Sequence, residues 1–308
     1  MSARSGWTDI DGPLHYLDWA GPAGAPVLVC VHGLGGSAQN WAAIAPLLTD
    51  RFRLLAPDLA GHGLTRSQGR PVTVQANQAL LHRFLAGVAG GPVLLMGNSM
   101  GGMISLLEAG EHPDWIRGLI LVNPALPFVP SRPDPRIVAL FALYATPGIG
   151  QVLAAGRRRM SPEAAVAGVL SLCCADPSRV PADVVGRHVE LARQRAGFTE
   201  AGRDFAVAMR SVLAMAGYLR GQAYQRRIAA VHDPVLLLHG AADRLVPVTV
   251  AAGAARAHPS WTVEILSGVG HVPQLEAPAP CAAAISRWVS AAGLEGSGGR
   301  AAAGRRIE

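Results

Sequence analysis

The stretch Val93-Leu94-Leu95-Met96-Gly97-Asn98-Ser99-Met100-Gly101-Gly102 constrains this chain more than any other. A short apolar run bounded by glycines reads as a buried parallel strand. It ends in Gly-x-Ser-x-Gly, and a helix-compatible segment, Met103 to Ala109, follows. A serine in so sharp a strand-to-helix turn is held in a strained backbone conformation at the tip of the strand. The chain there passes close to its neighbours, so Gly97 and Gly101 must be small. Such a spacing arises often by chance, and its meaning depends on what the rest of the chain supplies.

The other apolar runs are placed in the same way. Leu14 to Trp19, Val27 to Val31, Phe52 to Ala56, Ile116 to Val122, Val235 to Leu238 and Thr262 to Leu266 read as strands. Between them, Asn40 to Leu48, Val74 to Val88, Pro247 to Ala257 and Pro280 to Ala291 carry helical spacing. Alternation of this kind predicts an α/β chain with a mostly parallel sheet and helices on both faces. Active groups in such sheets collect at the carboxyl ends of the strands. His32, Asp58, Ser99, Asn123, Asp243 and His271 each fall at or just past a strand end.

One long segment breaks the alternation. Residues 125–231 show no strand pattern but carry Ala, Leu, Val, Met and Arg at helical spacings. The expected organisation is a core from 1–124 and 232–292, an inserted helical cap at 125–231, and a disordered Gly/Ala/Arg-rich tail at 293–308. The cap holds 14 Arg against 7 acidic residues, whereas the remainder carries a net charge of −1. That surplus suits either solvated helix faces or attraction of an acidic substrate or an anionic surface.

Composition removes several function classes. Half the residues are hydrophobic and no apolar run reaches the roughly 18 to 20 residues of a membrane span, so no integral membrane span is expected. Met1 to Gly12 carries Asp9 and Asp11 and lacks the apolar segment of a secretory signal, which makes a cytoplasmic location the expectation. All 27 basic residues are arginine, without the aromatic interleaving of a nucleic-acid module, so no nucleic-acid partner is expected. Cys30, Cys173, Cys174 and Cys281 read as free thiols rather than a disulfide framework. No Cys/His spacing suggests a metal, and neither a metal nor a cofactor is expected.

Ser99, Asp243 and His271 share one context and occur in that order. A hydroxyl is a poor nucleophile until a base takes its proton. An imidazole, with an unperturbed pKa of about 6.5, can accept and return one. A carboxylate on its other nitrogen fixes the tautomer and stabilises the imidazolium. Oxyanion donors are expected from the backbone N–H of Met100, after the serine, and of Leu34, in the glycine-rich loop His32 to Gly36. Gly33, Asn98 and Asn123 are candidate substrate contacts. Asp58, His62 and His32 read as loop-shaping residues, and Trp41 as a packing residue.

Through these motifs the chain resembles the α/β-hydrolase family. The resemblance rests on His32-Gly33-Leu34-Gly35-Gly36, Pro57-Asp58 with Gly61-His62-Gly63, the Gly97 to Gly102 turn, Asp243-Arg244-Leu245-Val246-Pro247 and Gly270-His271. It implies an eight-stranded, mostly parallel sheet with a cap over the serine, and a small-molecule substrate that is an apolar or acidic acyl compound. A serine ester hydrolase is the first expectation. Gly97-Asn98-Ser99-Met100-Gly101-Gly102 is also similar to the turn of carbon–carbon bond hydrolases acting on acidic dienones. Those enzymes typically carry tryptophan after the catalytic histidine, where this chain has Val272. A ligand-binding protein of the same fold with vestigial catalysis is the expectation from a different class.

Overall fold

The computed structural model describes residues 3–127, 134–146 and 159–296, together with Gly148 and Gly156. Eight strands form one sheet: β1 (Arg4–Asp9), β2 (Pro13–Trp19), β3 (Val27–Val31), β4 (Arg53–Pro57), β5 (Val93–Asn98), β6 (Ile116–Val122), β7 (Val235–Gly240) and β8 (Thr262–Leu266). Their order is β1-β2-β4-β3-β5-β6-β7-β8. From β4 to β8 every pairing is parallel, while β2 runs antiparallel to β1 and to β4.

The pleat divides each central strand between two cores. Val29, Val31, Leu95, Leu119, Leu121 and Leu237 face one side. Leu28, Cys30, Leu94, Met96, Ile120 and Leu238 face the other. Alternate residues point to opposite faces, so a strand apolar at every position must be covered twice. On the first face lie α1 (Val74–Phe84) and α2 (Met100–Glu111), through Leu81, Phe84, Met103 and Leu107. On the second, Trp41, Ile44 and Leu48 pack beside the C-terminal helix Pro278–Ala291, which contributes Ile285 and Trp288.

Between β6 and β7 the described residues form no strand but a 3-10 turn, Pro177–Arg179, and the helices α3 (Pro135–Ala145), α4 (Pro162–Cys173), α5 (Ala182–Arg195), α6 (Ala201–Ala216) and α7 (Tyr218–Ala229). After β7 come α8 (Thr249–Ala257), a single helical turn at Pro273–Glu276, and α9 (Pro278–Ala291). Side chains cap three of these helices: Thr73 accepts from Ala76 N–H, Ser161 from Ala164 N–H and Asp134 from Arg136 N–H. Among the described residues no helix is long and apolar enough to cross a membrane.

The structure departs from the sequence reading in three places. β1 was not expected, because an exposed edge strand has no apolar run to announce it. The segment Asn40 to Leu48, read as one helix, is two 3-10 turns, Ala38–Trp41 and Ala45–Leu47. Pro46 cannot donate a backbone hydrogen bond, which removes one rung of a continuous helix. The helix read to Val88 ends as an α-helix at Phe84 and widens into a π turn over Leu85–Ala89. Residues 297–308, most of the expected tail, lie outside the described residues.

Candidate active site

Ser99 sits between β5 and α2 with φ 55° and ψ −115°, a left-handed conformation that costs a non-glycine residue on the order of 1–3 kcal/mol. Close packing holds it there. A Cβ on Gly101 would lie 2.1 Å from the Val31 carbonyl oxygen, and one on Gly97 would lie 2.4 Å from that of Gly101. The Ser99 N–H donates to Val122 O at 3.1 Å, and the Ser99 carbonyl accepts from Met103 and Ala125 N–H at 3.1 Å. Ser99 remains partly exposed between the buried Asn98 and Met100.

His271 and Asp243 meet at the ends of β8 and β7. Asp243 Oδ2 accepts from His271 Nδ1 at 2.7 Å and from Asn123 Nδ2 at 2.6 Å. Its Oδ1 accepts from the N–H groups of Leu245 and Val246 at 2.8 and 3.0 Å. Burial works to raise the pKa of Asp243. The charge and hydrogen bond of His271, with the Val246 N–H and Asn123, outweigh it and hold the carboxyl below its ordinary range. An ionised carboxylate only accepts, so the shared proton lies on His271 Nδ1. Gly240 permits this meeting, since a Cβ there would lie 2.1 Å from Gly270 O.

The serine turn and the histidine loop are joined through Asn98. Its Nδ2 donates to His271 O at 3.1 Å and to Val122 O at 2.9 Å. Asn98 and Asn123, read as substrate contacts, are both buried, and the Nδ2 of each donates to protein partners. Asn123 also accepts from Gly240 N–H at 3.2 Å, so it positions the carboxylate rather than facing a cavity. Gly33 lies against the serine: a Cβ there would be 3.2 Å from that of Ser99. The N–H of Met100, at the first residue of α2, belongs to the first-turn donors that a helix leaves without an internal partner.

The loop His32 to Gly36 is braced from below. His32 Nδ1 donates to Gly33 O at 2.8 Å and Nε2 accepts from Leu59 N–H at 3.1 Å, which fixes one neutral tautomer. Burial, above all, lowers its pKa. Asp58 accepts from His15 Nδ1, Ala38 N–H and Leu64 N–H, each at 2.7 Å. Gly63 must be glycine, because φ is 49° and a Cβ would lie 1.9 Å from Asp58 Cγ. His62 donates from Nδ1 to Ala60 O at 3.0 Å, and burial, above all, lowers its pKa to about 3. Trp41 is fully buried.

Sequence reasoning missed Glu276 and Arg244. Buried Glu276 accepts from the N–H groups of Gly270 (2.8 Å), Ala175 (3.1 Å) and Asp176 (2.8 Å). The His271 N–H donates to Cys173 O at 2.6 Å. Arg244, next to Asp243, donates to the carbonyls of Ser171 and Cys174 at the end of α4. The inserted helices are thereby tied to both the acid and the base. No local pattern announces bonds that span 70 to 101 residues.

Above the His32 to Gly36 loop, the Phe205 ring of α6 lies over Gly35 and meets Tyr144 of α3 edge-on, with centroids 5.5 Å apart. Several arginines of the inserted segment are engaged with neighbours. Arg193 pairs with Glu163 and Glu190, Arg203 with Asp204, and Arg227 with Glu111. Arg195 donates to the carbonyls of Gly61 and Gly63.

A family model described as alpha/beta hydrolase fold matches residues 26–278. Lipase LipV of Mycobacterium tuberculosis is 32% identical over 122 residues, spanning 40% of this chain and 46% of that protein, under half its length. The pimeloyl-[acyl-carrier protein] methyl ester esterase of Aromatoleum aromaticum is 28% identical over 272 residues, covering 84% of this chain and 96% of that one. Among solved structures, a lipase of Acinetobacter baumannii superposes with a TM-score of 0.75 at 25% identity. That match covers 95% of this chain and 92% of that one.

Proposed function

Because the chain belongs to the alpha/beta hydrolase fold family, we propose that it cleaves a carboxylic ester or related acyl compound through an acyl-enzyme on Ser99. The observation that carries this reading is the buried Asp243–His271 hydrogen bond of 2.7 Å, tied through Asn98 to the turn that strains Ser99.

In this mechanism His271 Nε2 takes the Ser99 proton as Oγ attacks the carbonyl carbon. The tetrahedral oxyanion accepts from the N–H groups of Leu34 and Met100. His271 then gives its proton to the departing alkoxide, leaving Ser99 acylated. A water, deprotonated by the same nitrogen, attacks the acyl carbon, and return of the proton to Ser99 releases the acid. Asp243 stays ionised throughout and stabilises each imidazolium. The inserted helices act as a cap, with Phe205 above the oxyanion loop and apolar side chains facing the acyl group.

Carbon–carbon cleavage has less support. Val272, where the dienone hydrolases resembled by the serine turn carry tryptophan, is buried with Leu170, Val184 and Leu275. The test is a panel of p-nitrophenyl esters of graded acyl length, with a dienone acid included. Ser99→Ala is expected to lower kcat by about 10⁶-fold while unfolding within about 1 kcal/mol of the parent. Ester turnover surviving in Ser99→Ala would overturn the assignment, and turnover of the dienone alone would move it to the carbon–carbon class.

A further inference from the structure

Away from the serine, three side chains with metal-binding chemistry converge where α1 packs on α2. The donor atoms of His82, Glu108 and His112 all lie within 4.8 Å of one another. Glu108 and His112 are four residues apart and so share a helix face, as do Gln78 and His82 on α1. His82 Nδ1 is 2.8 Å from Glu108 Oε1, and Gln78 Nε2 donates to Oε2 at 3.0 Å. The His112 ring stacks on that of His82 with centroids 3.8 Å apart and planes 24° from parallel.

We infer that His82, Glu108 and His112 form a binding site for one zinc-class divalent cation, distinct from the serine centre. Two imidazoles and one carboxylate are a set that zinc favours when a fourth position stays open to water. The fully buried Glu108 carboxylate supplies the negative charge. Its second oxygen is held by Gln78, the kind of outer contact that orients a ligand. His112 brings a second imidazole to within ring contact of His82, so all three donors lie at one place.

An imidazole binds a metal through the lone pair in its ring plane, so the stacked His82 and His112 rings must turn out of parallel to meet one ion. Donors at 2.0–2.1 Å from a tetrahedral zinc lie about 3.4 Å apart, so His82 and Glu108 must separate by roughly half an ångström. His112 stands at the C-cap of α2, beyond the last helical residue, and closes from the other side. The His82 side chain is 29% exposed, which leaves a route for the ion and a water. At 1.5 Å per residue, the nine residues from Ser99 to Glu108 place the ion about 13 Å along α2 from the nucleophile.

The test uses the untagged full chain, stripped with chelator and titrated with Co²⁺ and then Zn²⁺. One equivalent of Co²⁺ is expected to give visible ligand-field bands that one equivalent of Zn²⁺ abolishes. Trp115, whose ring lies 5.7 Å from that of His82, provides a local fluorescence signal that Co²⁺ quenches and Trp115→Phe removes. His112→Ala and Glu108→Gln are expected to weaken binding by more than about 100-fold, and Gln78→Ala by about 10-fold. His258→Ala, at a separate stacked imidazole beside Trp261, leaves it unchanged. Hydrolysis by folded His112→Ala stays at the parent level, which separates this site from the Ser99 assignment. Absence of a bound equivalent, or equal binding by His112→Ala, would overturn the proposal.

Discussion

The turn that carries Ser99 and the loop that carries His271 meet within one site but are built by different physics. The serine turn is steric: Gly97 and Gly101 let backbone pass where any Cβ would collide. The histidine loop is electrostatic, since Glu276 gathers three backbone N–H groups and Asp243 orders the imidazole and the Leu245 to Val246 turn. A steric turn has no intermediate setting, because packed atoms that overlap must move the elements behind them. A hydrogen-bonded loop can lose one contact and loosen locally.

The largest effect should come from the steric side. Gly101→Ala would push a methyl group into the Val31 carbonyl and separate α2 from β3, at a cost of about 3 kcal/mol or more. Denaturant unfolding measures it, and the loss should be global, with β5 and α2 exchanging amide hydrogens together. If Gly101→Ala unfolds like the parent, the turn is not held by packing and the comparison fails.

Glu276→Ala tests the other side. It leaves the N–H groups of Gly270, Ala175 and Asp176 without their acceptor, for an expected loss of about 2 kcal/mol. Amide exchange should accelerate at those positions while the Ser99 turn stays protected. In the proposed mechanism kcat falls more than KM changes, because the base wanders while the cap still binds acyl groups. Equal loss of protection in both loops would show that they form one unit.

Acid sharpens the contrast at the smallest scale. Below the serine turn, His62 is neutral with a pKa of about 3, against about 6.5 in the unfolded chain. Between these values the unfolded chain holds a proton that the native chain does not. Stability therefore falls as pH drops through that window, by up to about 1.4 kcal/mol per pH unit. His62→Asn should flatten that slope by close to one proton in unfolding curves taken from about pH 6 to about pH 4. An unchanged slope would place the acid sensitivity elsewhere.

The same contrast explains what could be read in advance. Sterically built features write themselves into local sequence. Gly97-Asn98-Ser99-Met100-Gly101 and the glycines near Asp58 announce close approaches because only glycine fits them. The apolar strands announced the sheet because both of their faces are covered. Features built by distant hydrogen bonds do not write themselves locally. Glu276 looks like any surface glutamate, Asn123 could equally face a ligand, and nothing near Arg244 points to α4, some 70 residues earlier. β1 is silent in the sequence for the complementary reason, since an edge strand open to water needs no apolar run. His82, Glu108 and His112 lie on two helices, so their convergence is a property of helix packing rather than of spacing.

In the proposed mechanism the strained Ser99 and the ordered His271 imidazole act as one nucleophile. A fluorophosphonate reacts only with an activated serine, and the adduct can be weighed on the intact chain and mapped by peptide mass. One adduct per chain is expected, on Ser99, absent from Ser99→Ala and formed far more slowly in Asp243→Asn. A folded chain that takes up no phosphonate, or takes it up at another residue, would contradict it.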